Sequence, residues 1–250
     1  ILLMPIYLIS FIDGYDQPVV IASNCNFPYM NQLAENQGFS KEVDLVVYKI
    51  PVPDELPDFY KAIRTRFLGR KGNPVLKEFV SRSQVKPYIR KALTLVNETF
   101  DGIYGFTPFT PEEMDDFANR YLYLINPRFI KLFVDEKDDV VAMIVAMSDI
   151  ADGIRKAKGQ ILPFGFIPIL TAGKKSKQLN LLLGAISPDY QGRGLDVMMG
   201  ISMLDSARKA GKKVIDSHLE LETNTKVRAE MEKMGGVVYK VYRIYKKSLI

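Results

Sequence analysis

Helical and β-prone segments alternate along this chain, which predicts an α/β (α+β) fold. Three stretches carry that reading. An apolar stripe at helical spacing opens on the capping box Thr110 to Glu113, and two β-prone runs, 129–135 and 140–147, flank the charged turn Glu136-Lys137-Asp138-Asp139. The third is the run 179–186, apolar apart from Asn180, a buried-strand pattern that ends in a glycine-rich turn and leads into an apolar helix.

Composition agrees with a folded chain. With 250 residues, 47% hydrophobic and 25% charged, there is enough apolar surface for one large domain or two modest ones. The net charge of +5 and a pI near 9.0 suit a Lys-rich surface or a phosphate-bearing ligand alike. One cysteine, Cys25, excludes an internal disulfide framework, and with His218 as the single histidine no metal site is expected. A reducing, cytoplasmic setting follows as the expectation. Residues 1–12 are apolar but interrupted by Pro5 and too short to span a bilayer as a helix, so they are expected in the core, and no membrane contact is expected.

Taken in order, the chain first offers a weak internal repeat. With Gly38 aligned on Gly235, Asn24 and Asn224 precede the two glycines, helix-prone 30–36 and 226–234 lie between, and β-rich 39–50 and 237–246 follow. Tyr48-Lys49 and Tyr245-Lys246 then fall at the same offset. A partial N-terminal unit over 1–53 is the expectation. Pro51, Pro53 and Pro57 mark its exit, and Leu56, Phe59, Ile63 and Phe67 recur at helical spacing in a connector over 54–85. Its Lys61, Arg64, Arg66, Arg70, Lys71 and Lys77 read as a solvated face.

A main domain is expected over 86–250. Ile89, Leu93, Val96 and Phe100 share one helix face, and after Thr110 the stripe Met114, Phe117, Ala118, Tyr121, Leu122 and Ile125 runs to Pro127. Residues 148–177, with their scattered glycines and prolines, are expected as an irregular surface excursion whose Arg155, Lys156 and Lys158 are solvated.

The turn after 179–186 reads Ser187-Pro188-Asp189-Tyr190-Gln191-Gly192-Arg193-Gly194-Leu195, followed by the apolar Val197, Ile201 and Leu204. The first turn of a helix leaves backbone N–H groups unpaired, and its dipole favours negative charge. Gly192 and Gly194 would let a phosphate approach, with Gln191 and Arg193 as donors at the rim. Residues 191–195 resemble the pyrophosphate-binding turn of the GNAT N-acetyltransferases. The leucine-rich strand, the β-run 214–221, Asn224 ahead of the next helix and Met234-Gly235-Gly236 are similar to that family too. The resemblance implies a GNAT-like fold over 86–250, with a mixed, mostly antiparallel central sheet flanked by helices, in a tandem arrangement with the partial N-terminal unit. It also implies acetyl-CoA or a related acyl-CoA as co-substrate. In that picture the backbone of Ala185 and Ile186 meets the pantetheine arm, Gln191, Gly192, Arg193, Gly194 and Leu195 hold the pyrophosphate, and Asn224 opens the next helix beside the cofactor.

Two positions depart from the family pattern. Asp196 stands where Gly or Ala is usual, and a carboxylate 4 Å from a unit charge costs up to about 4 kcal/mol at an effective dielectric near 20. Met231 replaces a tyrosine that protonates the departing thiolate; the repeat offers Ala34 there, and Tyr190, Tyr239 and Tyr242 are nearby in sequence only. Candidate bases for the amine proton are Asp216, His218, Glu220 and Glu222, the first three expected to alternate onto one face of a strand over 214–221. The expected function is N-acyl transfer to a primary amine, small or peptidic. A GNAT fold that binds a ligand or protein without catalysis, and an aminoacyl-tRNA-dependent transferase, are the alternatives. Nucleic acid is not expected as a partner.

Overall fold

The computed structural model describes residues 5–21, 23–103, 105–122, 125–160 and 163–248, without the side chains of 118, 120 and 121. The chain begins with strand β1 (Ile6–Asp13), helix α1 (Tyr29–Asn36), strand β2 (Ser40–Pro51), helix α2 (Asp58–Leu68), strand β3 (Val75–Glu78) and the short helix α3 (Arg82–Val85). Helices α4 (Ile89–Phe100) and α5 (Pro111–Tyr121), strands β4 (Ile130–Val134) and β5 (Val140–Ser148), and helices α6 (Ala151–Lys156) and α7 (Phe166–Lys175) follow. The last elements are β6 (Gln178–Ile186), α8 (Leu195–Lys209), β7 (Val214–Asp216), β8 (Glu220–Leu221), α9 (Thr225–Lys233) and β9 (Val237–Lys247).

Two compact units divide the chain. The first combines Ile1–Pro51, Asp149–Asn180 and Val214–Ile250, and the second combines Val52–Ser148 with Leu181–Lys213. Strand β6 starts in the first and continues in the second.

In the first unit the strands lie in the order β1-β9-β2-β7, then the opening residues of β6, with β8 also paired to β2. These pairings are antiparallel except β6 with β7, which run parallel over Gln178–Asn180. As the end strand, β1 leaves Ile6, Tyr7 and Leu8 exposed while Ser10 and Phe11 are buried, so only part of the apolar opening reaches the core. Each half of the sequence repeat is a helix, a glycine and a strand: Gly38 has φ 82° between α1 and β2, and Gly235 has φ 79° between α9 and β9. Only glycine takes such angles without strain. Strands β2 and β9 pair with each other, and Arg243 holds Asp44 through two bonds of 2.8 and 3.0 Å across that pair. The asparagines differ. Asn224 caps α9 by accepting from the Val227 amide, whereas Asn24 donates to the Ile9 carbonyl and Pro28 stands at the N-cap of α1.

Residues 148–177 are more regular than expected, because α6 and α7 occupy them. Gly153 explains how they pack: a Cβ there would lie 2.5 Å from the Ile169 Cα and 2.6 Å from the Pro168 carbonyl oxygen.

The second unit holds the rest of β6, then β5, β4 and β3, with β3-β4 and β4-β5 antiparallel. The charged turn indeed closes the β4-β5 hairpin. Its buried residues Leu132, Val134, Val140 and Met143 join Leu95 and Val96 of α4 and Ala185 of β6 in one apolar cluster. The Thr110 capping box is formed in both directions, Glu113 N–H to the threonine hydroxyl and Thr110 N–H to the glutamate. In α5 Met114 is buried; Ala118 and Tyr121 of the expected stripe lie outside the described side chains.

Along the expected stripe Leu56, just before α2, and Phe67 are buried and Ile63 is half-buried, but Phe59 is 63% exposed and Tyr60 is buried in its place; Phe67 lies edge-on to the fully buried Phe133 at 6.3 Å. Arg64 of the basic connector is tied to Asp205, Lys61 to Asp58 and Lys77 to Asp138. Phe67→Ala is therefore expected to lower the unfolding free energy by about 3–5 kcal/mol. Phe59→Ala should change it by less than about 0.5 kcal/mol, both read by urea denaturation.

Candidate functional site

Strand β6 delivers the chain to the glycine turn. Its parallel pairing with β7 stops at Asn180 opposite Asp216, so Ala185 and Ile186 lie beyond it. Ala185 is buried in the apolar cluster, and the Ile186 carbonyl accepts from the Gln191 amide group at 3.3 Å. Gln191 thus folds back on the strand.

The turn itself depends on its glycines. Gly192 has φ 70° and Gly194, the cap of α8, has φ 85°; a Cβ on either would meet nothing within 4 Å. Space is open here and conformation is the reason for glycine. Leu195, 1% exposed, pins the first turn of α8 to the core, along with buried Met198, Ile201 and Leu204. Arg193 closes the turn over Gln191 and Gly192, and among the described residues the amides of Gly192, Gly194, Leu195 and Asp196 have no hydrogen-bond acceptor. Arg193 stacks its guanidinium on the Tyr190 ring at 4.9 Å. The exposed Asp196 turns its carboxylate onto the next amide, Val197, at 2.9 Å. It occupies one donor of the first helical turn and leaves the others.

The four candidate bases share a segment of the first unit but not one strand face. The expected continuous strand is split into β7 and β8, because His218 sits at φ 62°. Two bonds fix that break: the Asp216 carboxylate accepts from the His218 amide at 2.9 Å, and the Ser217 hydroxyl donates to the His218 carbonyl at 2.8 Å. The Tyr48 amide in turn donates to the Ser217 oxygen.

Their surroundings separate the four. Asp216, 2% exposed, also accepts from the Tyr239 hydroxyl, so its oxygens are engaged. Glu222 pairs with Lys41 at 2.9 Å and accepts from the Asp44 amide; the Lys41 bond foremost holds its carboxyl below the usual range. His218 is half-buried, and that burial lowers its pKa against the opposing pull of Asp216, which keeps the ring neutral near pH 7. Glu220 is half-buried with no ion pair or side-chain hydrogen bond among the described residues, and burial pushes its carboxyl up to about 7. Of the four it is best suited to exchange a proton near neutrality.

Two groups of buried polar residues were not foreseen. Tyr239, whose pKa is raised by burial and then by Asp216, lies beneath the ammonium groups of Lys240 and Lys49 at 4.8 and 5.4 Å. Lys240 is 2% exposed, donates to the Pro18 carbonyl at 2.6 Å, and has its pKa lowered by burial. Separately, the buried Tyr48 hydroxyl accepts from Arg228 at 2.9 Å and donates to Glu232 at 2.7 Å. The strand alternation that buries Lys240, Tyr242 and Ile244 was the available signal, and a register shift next to Val238 interrupts it. Met231 supplies only its carbonyl, to the Gly236 amide.

No family model matches the chain. It is 26% identical over 244 residues to the "Bacterial ceramide synthase" of Caulobacter vibrioides (strain NA1000 / CB15N), covering 94% of this chain and 62% of that protein. It is 24% identical over 245 residues to "Protein YghO" of Escherichia coli (strain K12), covering 95% and 62%. The chain thus spans less than two thirds of these curated relatives. Among solved structures, a GCN5-related N-acetyltransferase from Sphaerobacter thermophilus aligns with TM-score 0.57 and 14% identity, over 98% of this chain and 61% of that one. A tandem GNAT protein from the clavulanic acid biosynthesis pathway aligns with TM-score 0.52 and 8% identity, over 98% and 64%. The chain has the GNAT fold, with the mixed, mostly antiparallel sheet and flanking helices that the turn at 191–195 implied.

Holding Glu220 without a partner costs stability in a pH-dependent way. Folded Glu220 keeps its proton to about pH 7, while the unfolded chain releases it near 4.5, so the folded state loses stability as pH rises between those values. Glu220→Gln is expected to be neutral at low pH and to stabilise the fold above pH 7 by up to about 3 kcal/mol, measured by urea denaturation across pH.

Proposed function

We propose that the protein is an N-acyltransferase that moves an acyl group from acyl-CoA to a primary amine. The observation that carries the reading is Glu220, a carboxyl with no partner among the described residues and a pKa of about 7, on a fold that also presents unpaired amides at a glycine turn. In the reaction the amine nitrogen attacks the thioester carbonyl carbon, the C–N bond forms, the C–S bond breaks, and CoA leaves as thiolate. The proton lost by the nitrogen goes to a general base, and of the candidate carboxylates Glu220 has the pKa that suits the role. Amides of residues 192–196 bind the pyrophosphate, and the backbone of Ala185 and Ile186 lies against the pantetheine. Met231 cannot protonate the thiolate and Tyr239 is committed to Asp216, so the thiolate takes its proton from solvent.

The relative named as a ceramide synthase supports a finer reading. A ceramide is an amide of a long-chain amino alcohol with a fatty acyl group, so the acceptor proposed is an amino alcohol of that kind and the donor a long-chain acyl-CoA. We place the reaction in a tandem arrangement in which the α1-β2 segment is the remnant of a second GNAT unit, and in the cytoplasm, where acyl-CoA is found.

A second reading, a GNAT fold that binds without catalysis, is favoured by Asp196, which occupies the Val197 amide with its own negative charge.

Two measurements separate these. Glu220→Gln is expected to lower kcat/KM for acyl transfer by about 10²–10⁴ and to abolish the acidic limb of the pH profile, along which the rate rises through about pH 7 as Glu220 deprotonates. An unchanged limb would remove Glu220 from the mechanism. By calorimetry Asp196→Gly should tighten acyl-CoA binding by about tenfold or more. Absence of heat with acyl-CoA for both wild type and Asp196→Gly would favour the binding module.

A further inference from the structure

Helix α7 buries none of its residues, although it begins Phe-Ile-Pro-Ile-Leu. Phe164 ahead of it is 70% exposed, and within it Phe166, Ile167 and Leu170 are 43, 50 and 56% exposed. The hairpin geometry enforces this. Gly153 lets α6 lie directly against Pro168, Ile169 and Ala172, and Gly165 permits a turn in which a Cβ would collide with the Gln160 carbonyl at 1.6 Å. With that side of α7 committed to α6, Phe166, Ile167 and Leu170 are held outward at helical spacing.

The flanks are basic. Lys156 ends α6 and Lys158 follows it, Lys174 and Lys175 end α7, and Lys177 comes after it; all five are exposed and none has an ion-pair partner among the described residues. Arg155 is paired with Asp152.

We propose that the α6-α7 hairpin is an interfacial membrane-binding element that docks on an anionic lipid bilayer. Phe164, Phe166, Ile167 and Leu170 enter the acyl boundary, and the lysines meet the headgroups. An apolar face alone would suit a second copy of the chain equally well; unpaired ammonium groups on both sides of it match a surface of negative charge. At about 15 Å, a ten-residue helix can lie in the plane of the membrane and cannot cross it. No helix among the described residues is long and apolar enough to cross a membrane. This goes beyond the acyl-transfer reading and beyond the expectation of solvated charge, which took no account of α7.

The test is flotation of the full chain with phosphatidylcholine vesicles, with and without phosphatidylglycerol, at low and high salt. Binding to the anionic vesicles is expected, weakened by salt and by at least about tenfold in each of the double variants Ile167→Asp/Leu170→Asp and Lys174→Glu/Lys175→Glu, with circular dichroism unchanged. No binding by wild type, or binding as tight as wild type in either variant, overturns the proposal. So does a wild-type dimer that becomes a monomer in Ile167→Asp/Leu170→Asp without any vesicle binding, since a second copy then covers the face. Acyl transfer between short, water-soluble substrates in the absence of lipid should be the same in wild type and variants. A selective loss there assigns the hairpin to catalysis and overturns the proposal. Vesicle binding is read without substrate, so failure of the acyl-transfer reading leaves this test intact.

Discussion

Helix α8 starts without a side chain to cap it, and that deficit is the constraint on which the functional reading depends. A serine or aspartate before the first turn would normally accept one of its free amides. Gly194 stands there instead, in a left-handed conformation, two residues after a second glycine of the same kind. Leu195 and the methionines behind it keep the turn from relaxing toward other acceptors. Water or an anion must satisfy the amides from outside. Asp196 is an internal competitor for part of that positive field and spends itself on a single amide.

Elsewhere the protein pairs its buried charges carefully. Asp44 is clamped by Arg243 and Lys41, Lys131 by Glu78, and Asp216 by a tyrosine and a backbone amide. Burying such groups is tolerable only with their bonds made. Against that background Glu220, with no partner among the described residues, stands out. The left-handed His218 has the decisive role, since it breaks the strand between Asp216 and Glu220 and so gives two neighbouring carboxylates opposite environments.

Much of this was legible in the residues and some was not. The hairpin at 136–139, the capping box at Thr110 and the strand, glycine turn and helix around 186–195 are local signals, and local chemistry decided them. Misjudged features turned on tertiary contacts. On α2 the expected Phe67 is buried against Phe133, but the neighbouring inward place went to Tyr60 rather than Phe59. Alternation placed Asp216, His218 and Glu220 on one strand face, but a positive φ at a histidine has no sequence signature. Helices α6 and α7 were hidden by their glycines and prolines, which here serve close packing and tight turning, the very features usually taken as signs of an irregular loop.

The measurement that bears most directly on the central claim is the amide spectrum of residues 192–196 recorded by NMR as CoA is added. If the account is right, these resonances shift in a saturable way while those of α4 and β4 stay in place. If CoA leaves the amides of 192–196 unmoved at concentrations that perturb other parts of the protein, the turn is not an anion site and the acyl-transfer reading is contradicted.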